Sequence, residues 1–169
     1  MEQSEPLTKG ASNMPQGEHI ILRLTYVSRH NANNKSVEVT RILAQAHRNN
    51  QRNGITGALV ISEDYFLQSI EGPRPVINEL LRKLFKDERH FSLQVIECNE
   101  VEQRRWGKWS MKHLSLSDQD REYVRKFSVG TNFDPYLINS AQIIEFIEIL
   151  SRIEEEKEKH KSETKHRSF

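Results

Sequence analysis

Apolar residues along 20–98 switch repeatedly between a spacing of two and one of about 3.6, and the order of those switches limits the fold more than any other property of the chain. Residues 20–27 (IILRLTYV) alternate, so Ile20, Leu22, Leu24 and Tyr26 share one strand face. Ser36 is a suitable N-cap for a helix over 37–51, with Val39, Ile42, Leu43 and Ala46 inward and Asn53-Gly54 closing it. Residues 55–62 and 65–71 are two apolar runs parted by Glu63-Asp64, which predicts an antiparallel hairpin on a turn that is not a favoured pair. Gly72-Pro73 opens a second helix over about 74–87, with Val76, Ile77, Leu80, Leu81 and Leu84 inward. A fourth strand is expected over 91–98 and a fifth over 109–114 (WSMKHL).

The predicted order is β-α-β-β-α-β plus one strand. This is an α+β, ferredoxin-like sandwich with a mixed but mainly antiparallel sheet. Two helices cover one sheet face and leave the other bare. The C-terminal stretch offers a cover in two helices. The first is short, over 118–126. The second starts at Pro135 and carries Leu137, Ile143, Ile144, Phe146, Ile147, Leu150 and Ile153 as an apolar stripe, which either covers the sheet or docks a partner. The expected boundaries are a flexible leader at 1–18, a folded domain at 19–115, a helical extension at 116–156 and a disordered tail at 157–169.

Composition excludes several function classes. The chain has 169 residues, one domain's worth plus tails, and its formal net charge of +1 is spread without a basic stripe, which argues against nucleic acid as the main partner. No apolar run approaches the ~20 residues of a membrane span, and no secretion signal opens the chain. Cys98 is the only cysteine, which suits a reducing cytoplasm. The histidines lack metal-ligand spacing, and neither a phosphate-binding glycine loop, a nucleophile elbow nor a paired-carboxylate site is present. These features point away from an enzyme.

Polar side chains on apolar faces carry the remaining information. Asn50 continues the inward stripe of the first helix, and Gln68 sits between Phe66 and Ile70 on a strand face. With strands 1 and 3 as central neighbours, Tyr26 and Gln68 approach each other beneath the helices, with Asn50 nearby. Two amides and a phenol suit a flat heteroaromatic ring with mixed donors and acceptors along its edge. Ordinary structural satisfaction of each group is the competing reading. Trp109 and Met111 fall on one face of the fifth strand, where core filling is the default for such residues. Arg89 and His90 precede the fourth strand and fit a solvated loop.

Taken together, L-T-Y-V-S at 24–28, N-N-Q-R-N-G-I-T-G at 49–57, F-L-Q-S-I-E-G at 66–72, D-E-R-H at 87–90 and W-S-M at 109–111 resemble the BLUF family, the blue-light sensors using FAD. The resemblance spans about 20 to 115. It implies a non-covalently held FAD whose ring lies between the two helices. Tyr26 then matches the family's redox-active tyrosine, and Gln68 the switching glutamine that bridges it to the flavin. Asn50 matches the residue holding the pyrimidine side. Asn49 and Ile42 match neighbouring flavin contacts, Arg89 and His90 lie near the ribityl-phosphate end, and Ser28 supports the network around Tyr26. Trp109 and Met111 match a pair that relays the signal. The choice of FAD comes from the resemblance; the residues alone do not separate it from FMN.

The mechanism implied is light-driven electron and proton transfer from Tyr26, rearrangement of Gln68, a small red shift and decay in the dark. The stretch after 115 is too short for a cyclase or phosphodiesterase domain, so the expected output is contact with a protein partner or a second copy. Two rivals share the strand order. An RNA-recognition module places aromatics such as Tyr26 and Phe66 on strands 1 and 3 but wants a basic surface. An acylphosphatase-like enzyme needs an anion loop after strand 1, where this chain has SRHNANNKS.

Overall fold

The computed structural model describes residues 17, 19–30, 36–62, 64–116, 122, 125–128 and 133–166, with the side chains of 36–40, 42, 43, 90 and 164–166 left aside. Strand β1 (Ile21–His30) leads to α1 (Ser36–Arg52), the hairpin β2 (Thr56–Ile61) and β3 (Tyr65–Pro73), α2 (Arg74–Phe85), β4 (His90–Val101) and β5 (Lys112–Ser115). A 3-10 turn (Arg125–Phe127) and the long helix α3 (Ser140–His166) follow. The five strands lie in the order β4-β1-β3-β2-β5, antiparallel except for the β2–β5 pair. This is the ferredoxin-like sandwich with a strand added at one edge.

Local chemistry explains the boundaries. Gly54 takes φ +64°, and Asn53 and Ile55 donate their N–H groups to the carbonyls at the end of α1, so the glycine closes the helix in a conformation other residues avoid. The β2–β3 turn lacks a favoured dipeptide, and Ser62 does its work: its Oγ accepts from the N–H groups of Asp64 and Tyr65, both at 3.2 Å. Helix α2 turns Ile77 fully inward, with Val76, Leu80, Leu81 and Leu84 beside it.

The sheet has a core on each side. Toward α2 lie Leu22, Leu24, Tyr26, Ile55, Ile70 and Ile77. On the reverse face Val27, Ala58, Val60, Leu67 and Leu114 meet Ile143, Ile144, Phe146, Ile147 and Leu150 of α3. The apolar stripe thus covers the bare face.

The C-terminal elements depart from the sequence expectation. Helix α3 starts at Ser140 and not at Pro135, because Asn139 and Gln142 form a reciprocal capping box: Gln142 N–H donates to Asn139 Oδ1 at 3.0 Å and Asn139 N–H to Gln142 Oε1 at 3.3 Å. Leu137 therefore precedes the helix and is exposed. The helix continues to His166 through the residues expected to be a disordered tail. Residues 1–16 and 18 of the expected leader, and most of the expected helix at 118–126, lie outside the described residues.

The fifth strand also begins later than expected. Residues 109–111 are not in β5: Trp109 N–H donates to Trp106 O, and Trp109 O accepts from Gly57 N–H, so the backbone turns there and runs extended only from Lys112. Gly57 also lets β3 pass close on its other side, since a Cβ there would lie 2.7 Å from Ser69 O.

Candidate functional site

Tyr26 of β1 and Gln68 of β3 are direct partners in the antiparallel register, and Leu59 of β2 stands next in the same row. Their side chains face the two covering helices. Here they floor a cavity of about 270 Å³, whose walls are Gln45, Ala46, Asn49 and Asn50 of α1 and Leu80, Lys83 and Leu84 of α2, with Phe66, Asp87 and Arg89 completing it.

The hydrogen bonds are directional. Tyr26 Oη donates to Gln68 Oε1, and Gln68 Nε2 donates to Met111 Sδ at 3.3 Å. The amide thus has one end on the phenol and the other on the segment leading into β5. Asn50, buried at the end of α1, donates from Nδ2 to Ser110 O at 3.2 Å, and Ser110 Oγ shares a 2.9 Å hydrogen bond with His47. Burial pushes the Tyr26 phenol far above its ordinary value, and the nearby Asp87 charge adds to this, so Tyr26 stays neutral at physiological pH. Asp87 and Arg89 form a fork, with Arg89 Nε 2.8 Å from Asp87 Oδ1.

Two expectations change here. Trp109 and Met111 do not share a face: Met111 packs with the cluster on the Tyr26 side, and Trp109 with the cluster on the reverse side, stacked on Trp106 at 6.1 Å. The cause is the turn at 109–111, which removes the strand alternation on which a common face depends. Ser28, whose residue is fully buried, has no hydrogen-bond partner for its Oγ among the described residues, so no direct bond joins it to Tyr26. The side chains of Ile42 and His90 lie outside the described residues.

Gln45, Phe66, Lys83 and Asp87 were not anticipated as lining residues. Phe66 was legible, since it shares the strand face of Gln68. The other three required knowing which turns of α1 and α2 face each other across the gap.

The residues present fit a flavin. The cavity has apolar walls for a flat ring, amides for a mixed donor and acceptor edge, and Lys83 and Arg89 for an anionic tail. The orphaned Ser28 hydroxyl on the same strand is a buried polar atom that the described residues do not satisfy. By contrast, Tyr26 and Phe66 line a cavity under the helices and do not stand on an open sheet face as in an RNA-recognition module.

Residues 21–112 match the family described as sensors of blue-light using FAD. The chain belongs to the BLUF family. BLUF relatives include the blue light- and temperature-regulated antirepressor BluF of Escherichia coli, 28% identical over 97 residues that make up 56% of this chain and 24% of that protein. Another is the photoactivated adenylate cyclase subunit beta of Euglena longa, 26% identical over 60% of this chain and 12% of its own length. The chain thus spans about a quarter or less of these curated relatives. Among solved structures, BlsA in its photo-activated state is similar with a TM-score of 0.69, 28% identity and coverage of 77% of this chain and 94% of that one. The BLUF protein BlrB in its dark state matches with a TM-score of 0.59 and 30% identity over 64% of this chain and 81% of that one. BLUF domains are flavin-based light sensors, and neither the RNA-binding nor the acylphosphatase-like alternative gains support. No helix among the described residues is long and apolar enough to cross a membrane, and no group of metal-ligating side chains occurs among them.

Proposed function

We propose that this chain is a cytoplasmic blue-light receptor that holds FAD between α1 and α2 and relays a change at Gln68 to a protein partner, without catalytic activity of its own. Domain 19–115 is the receptor, and the residues from 116 onward form its output region. The observation that carries the reading is the double engagement of Gln68, with Oε1 on Tyr26 and Nε2 on Met111, at the floor of the cavity.

Bound FAD supplies the blue absorption and, once excited, an electron acceptor. Asn49 and Asn50 hold the polar edge of the ring, with Ile42 as an apolar neighbour. Arg89 and Lys83 face the phosphates, the end to which the family resemblance also assigns His90, and Ser28 gains the partner it lacks. A neutral, desolvated phenol loses an electron only if its Oη proton leaves as well, and Gln68 Oε1 is the atom placed to accept it. The electron and a proton then return to Tyr26, and Gln68 is left rotated or tautomerised, presents a different donor pattern to the cavity and gives up its bond to Met111 Sδ. Such an exchange is worth about 1 kcal/mol net. That biases a nearly balanced element without rebuilding the fold. The segment through Trp109 and Met111 is that element. The partner is a protein, as for an antirepressor or a fused cyclase, or a second copy of the chain.

The test is to purify the protein in the dark, identify the extracted flavin, and record spectra before and after blue light for the wild type and Gln68→Leu. The expected result is bound FAD with a small reversible red shift that the variant loses while keeping its flavin. A colourless protein that takes up no added FAD, or a variant that shifts like the wild type, contradicts the reading.

A further inference from the structure

Strand β3 carries Gln68 toward the cavity and Ser69 and Glu71 toward the opposite face, where they hold the same β4–β5 connection that ends at Met111. Glu71 is fully buried. Its Oε1 accepts from the backbone N–H of Arg105 and its Oε2 from that of Trp106, both at 2.9 Å. Arg23 of β1 balances the charge, with Nε 2.8 Å from Oε1. Next to it, the Trp106 indole N–H donates to Ser69 Oγ at 2.8 Å, and Arg104 bridges Thr56 Oγ1 and the Glu71 carbonyl, both at 3.0 Å. A carboxylate that captures two consecutive backbone N–H groups while paired to a guanidinium is a strong, geometrically specific hold. The other end of the connection rests on a neutral amide–thioether contact, Gln68 to Met111, and thioether sulfur is a weak acceptor.

Both ends also touch α3. Arg105 pairs with Glu148, and Lys112, next after Met111, pairs with Glu158 at 3.0 Å. We propose that Glu71 is the fixed anchor of this connection, so that rearrangement at Gln68 moves only its Met111–Lys112 end and reaches α3 near Glu158, while the stretch around Glu148 stays in place. Glu71 is a positioning residue, remote from the cavity. The inference rests on the photoreceptor reading and deepens it by naming the route of output.

The test is amide hydrogen exchange on the full chain with its bound flavin, in the dark and under blue light, for the wild type and Glu71→Gln. In the wild type, light is expected to raise exchange at 110–113 and 155–162 and to leave 104–106 and 143–150 unchanged. In Glu71→Gln the red shift is expected to persist, while exchange at Arg105 and Trp106 rises about tenfold or more already in the dark. The light-induced difference at 155–162 is expected to disappear. A purely structural role would not separate the retained shift from the lost difference. Trp106→Phe, which removes the indole donor to Ser69 together with part of the buried ring, gives the same pattern in weaker form and serves if Glu71→Gln does not fold. Wild-type exchange at 105–106 in these variants, an unaltered light response at 155–162, or a light response at 143–150 in the wild type would overturn the anchor. Loss of the red shift in Glu71→Gln would also overturn it by placing Glu71 inside the switch. If the wild type itself shows no red shift, the photoreceptor reading fails, and dark exchange at 105–106 still decides whether Glu71 holds the connection.

Discussion

Tyr26 shows how one position acquires a role from its surroundings. A phenol on a half-covered strand is ordinary; buried beneath two helices, beside Asp87 and bonded to an amide, it is held neutral well above its ordinary pKa of 10.0. In the folded chain it keeps its proton at a pH where the unfolded chain has lost it. Its contribution to stability is therefore intact below about pH 10 and declines as the pH rises further. Thermal melts between about pH 8 and pH 11 are expected to show Tm falling at the alkaline end, with a shallower fall in Tyr26→Phe. Tyr136 and Cys98 are also raised by burial and add a background common to both proteins. At this scale the sequence was most informative. Tyr26, Gln68 and Asn50 stood out as polar groups on apolar faces, and all three line the cavity. Ser28 rests on the family resemblance alone, since nothing in its local sequence says whether its hydroxyl reaches a partner. Glu71, a carboxylate among the strand residues, gave no local hint of its two backbone N–H partners, since they come from a loop more than thirty residues downstream.

Among the elements, those whose periodicity decides their burial were legible, and those set by a contact from elsewhere were not. The first four strands and two helices follow from alternation and helical stripes. The start of β5 does not, because W-S-M-K-H-L alternates well enough for a strand. What displaces it is Gly57, whose N–H captures Trp109 O and bends the chain. The capping box at Asn139 and Gln142 is a sequence signature, yet Pro135 offered an earlier start, and the two compete for the same helix. The close approach at Gly57 is open to experiment. In Gly57→Ala the new Cβ would sit 2.7 Å from Ser69 O, a backbone atom with little freedom to move. The substitution is expected to cost about 1–3 kcal/mol and to lower Tm by roughly 3–10 °C in a dark melt. A melt like that of the wild type would mean that β3 does not approach β2 as closely at Gly57 as described.

As a whole, the molecule is a sheet with the cavity under two helices on one face and the long helix α3 over the other. The α2-side core holds the cavity; the reverse core joins β1, β2, β3 and β5 to α3. The connection from β4 to β5 touches both, through Met111 on one side and Trp106 and Trp109 on the other, so a change at Gln68 has a physical path to α3. In the proposed mechanism that path depends first on a proton-coupled step at Tyr26. The most direct measurement is the light-minus-dark absorption spectrum of flavin-loaded Tyr26→Phe beside that of the wild type, under continuous blue light. With Phe at 26 the flavin is expected to remain bound and the reversible red shift to vanish, because neither the electron donor nor the Oη proton is present. A shift of wild-type size in that variant would contradict the role of Tyr26 and, with it, the switch at Gln68.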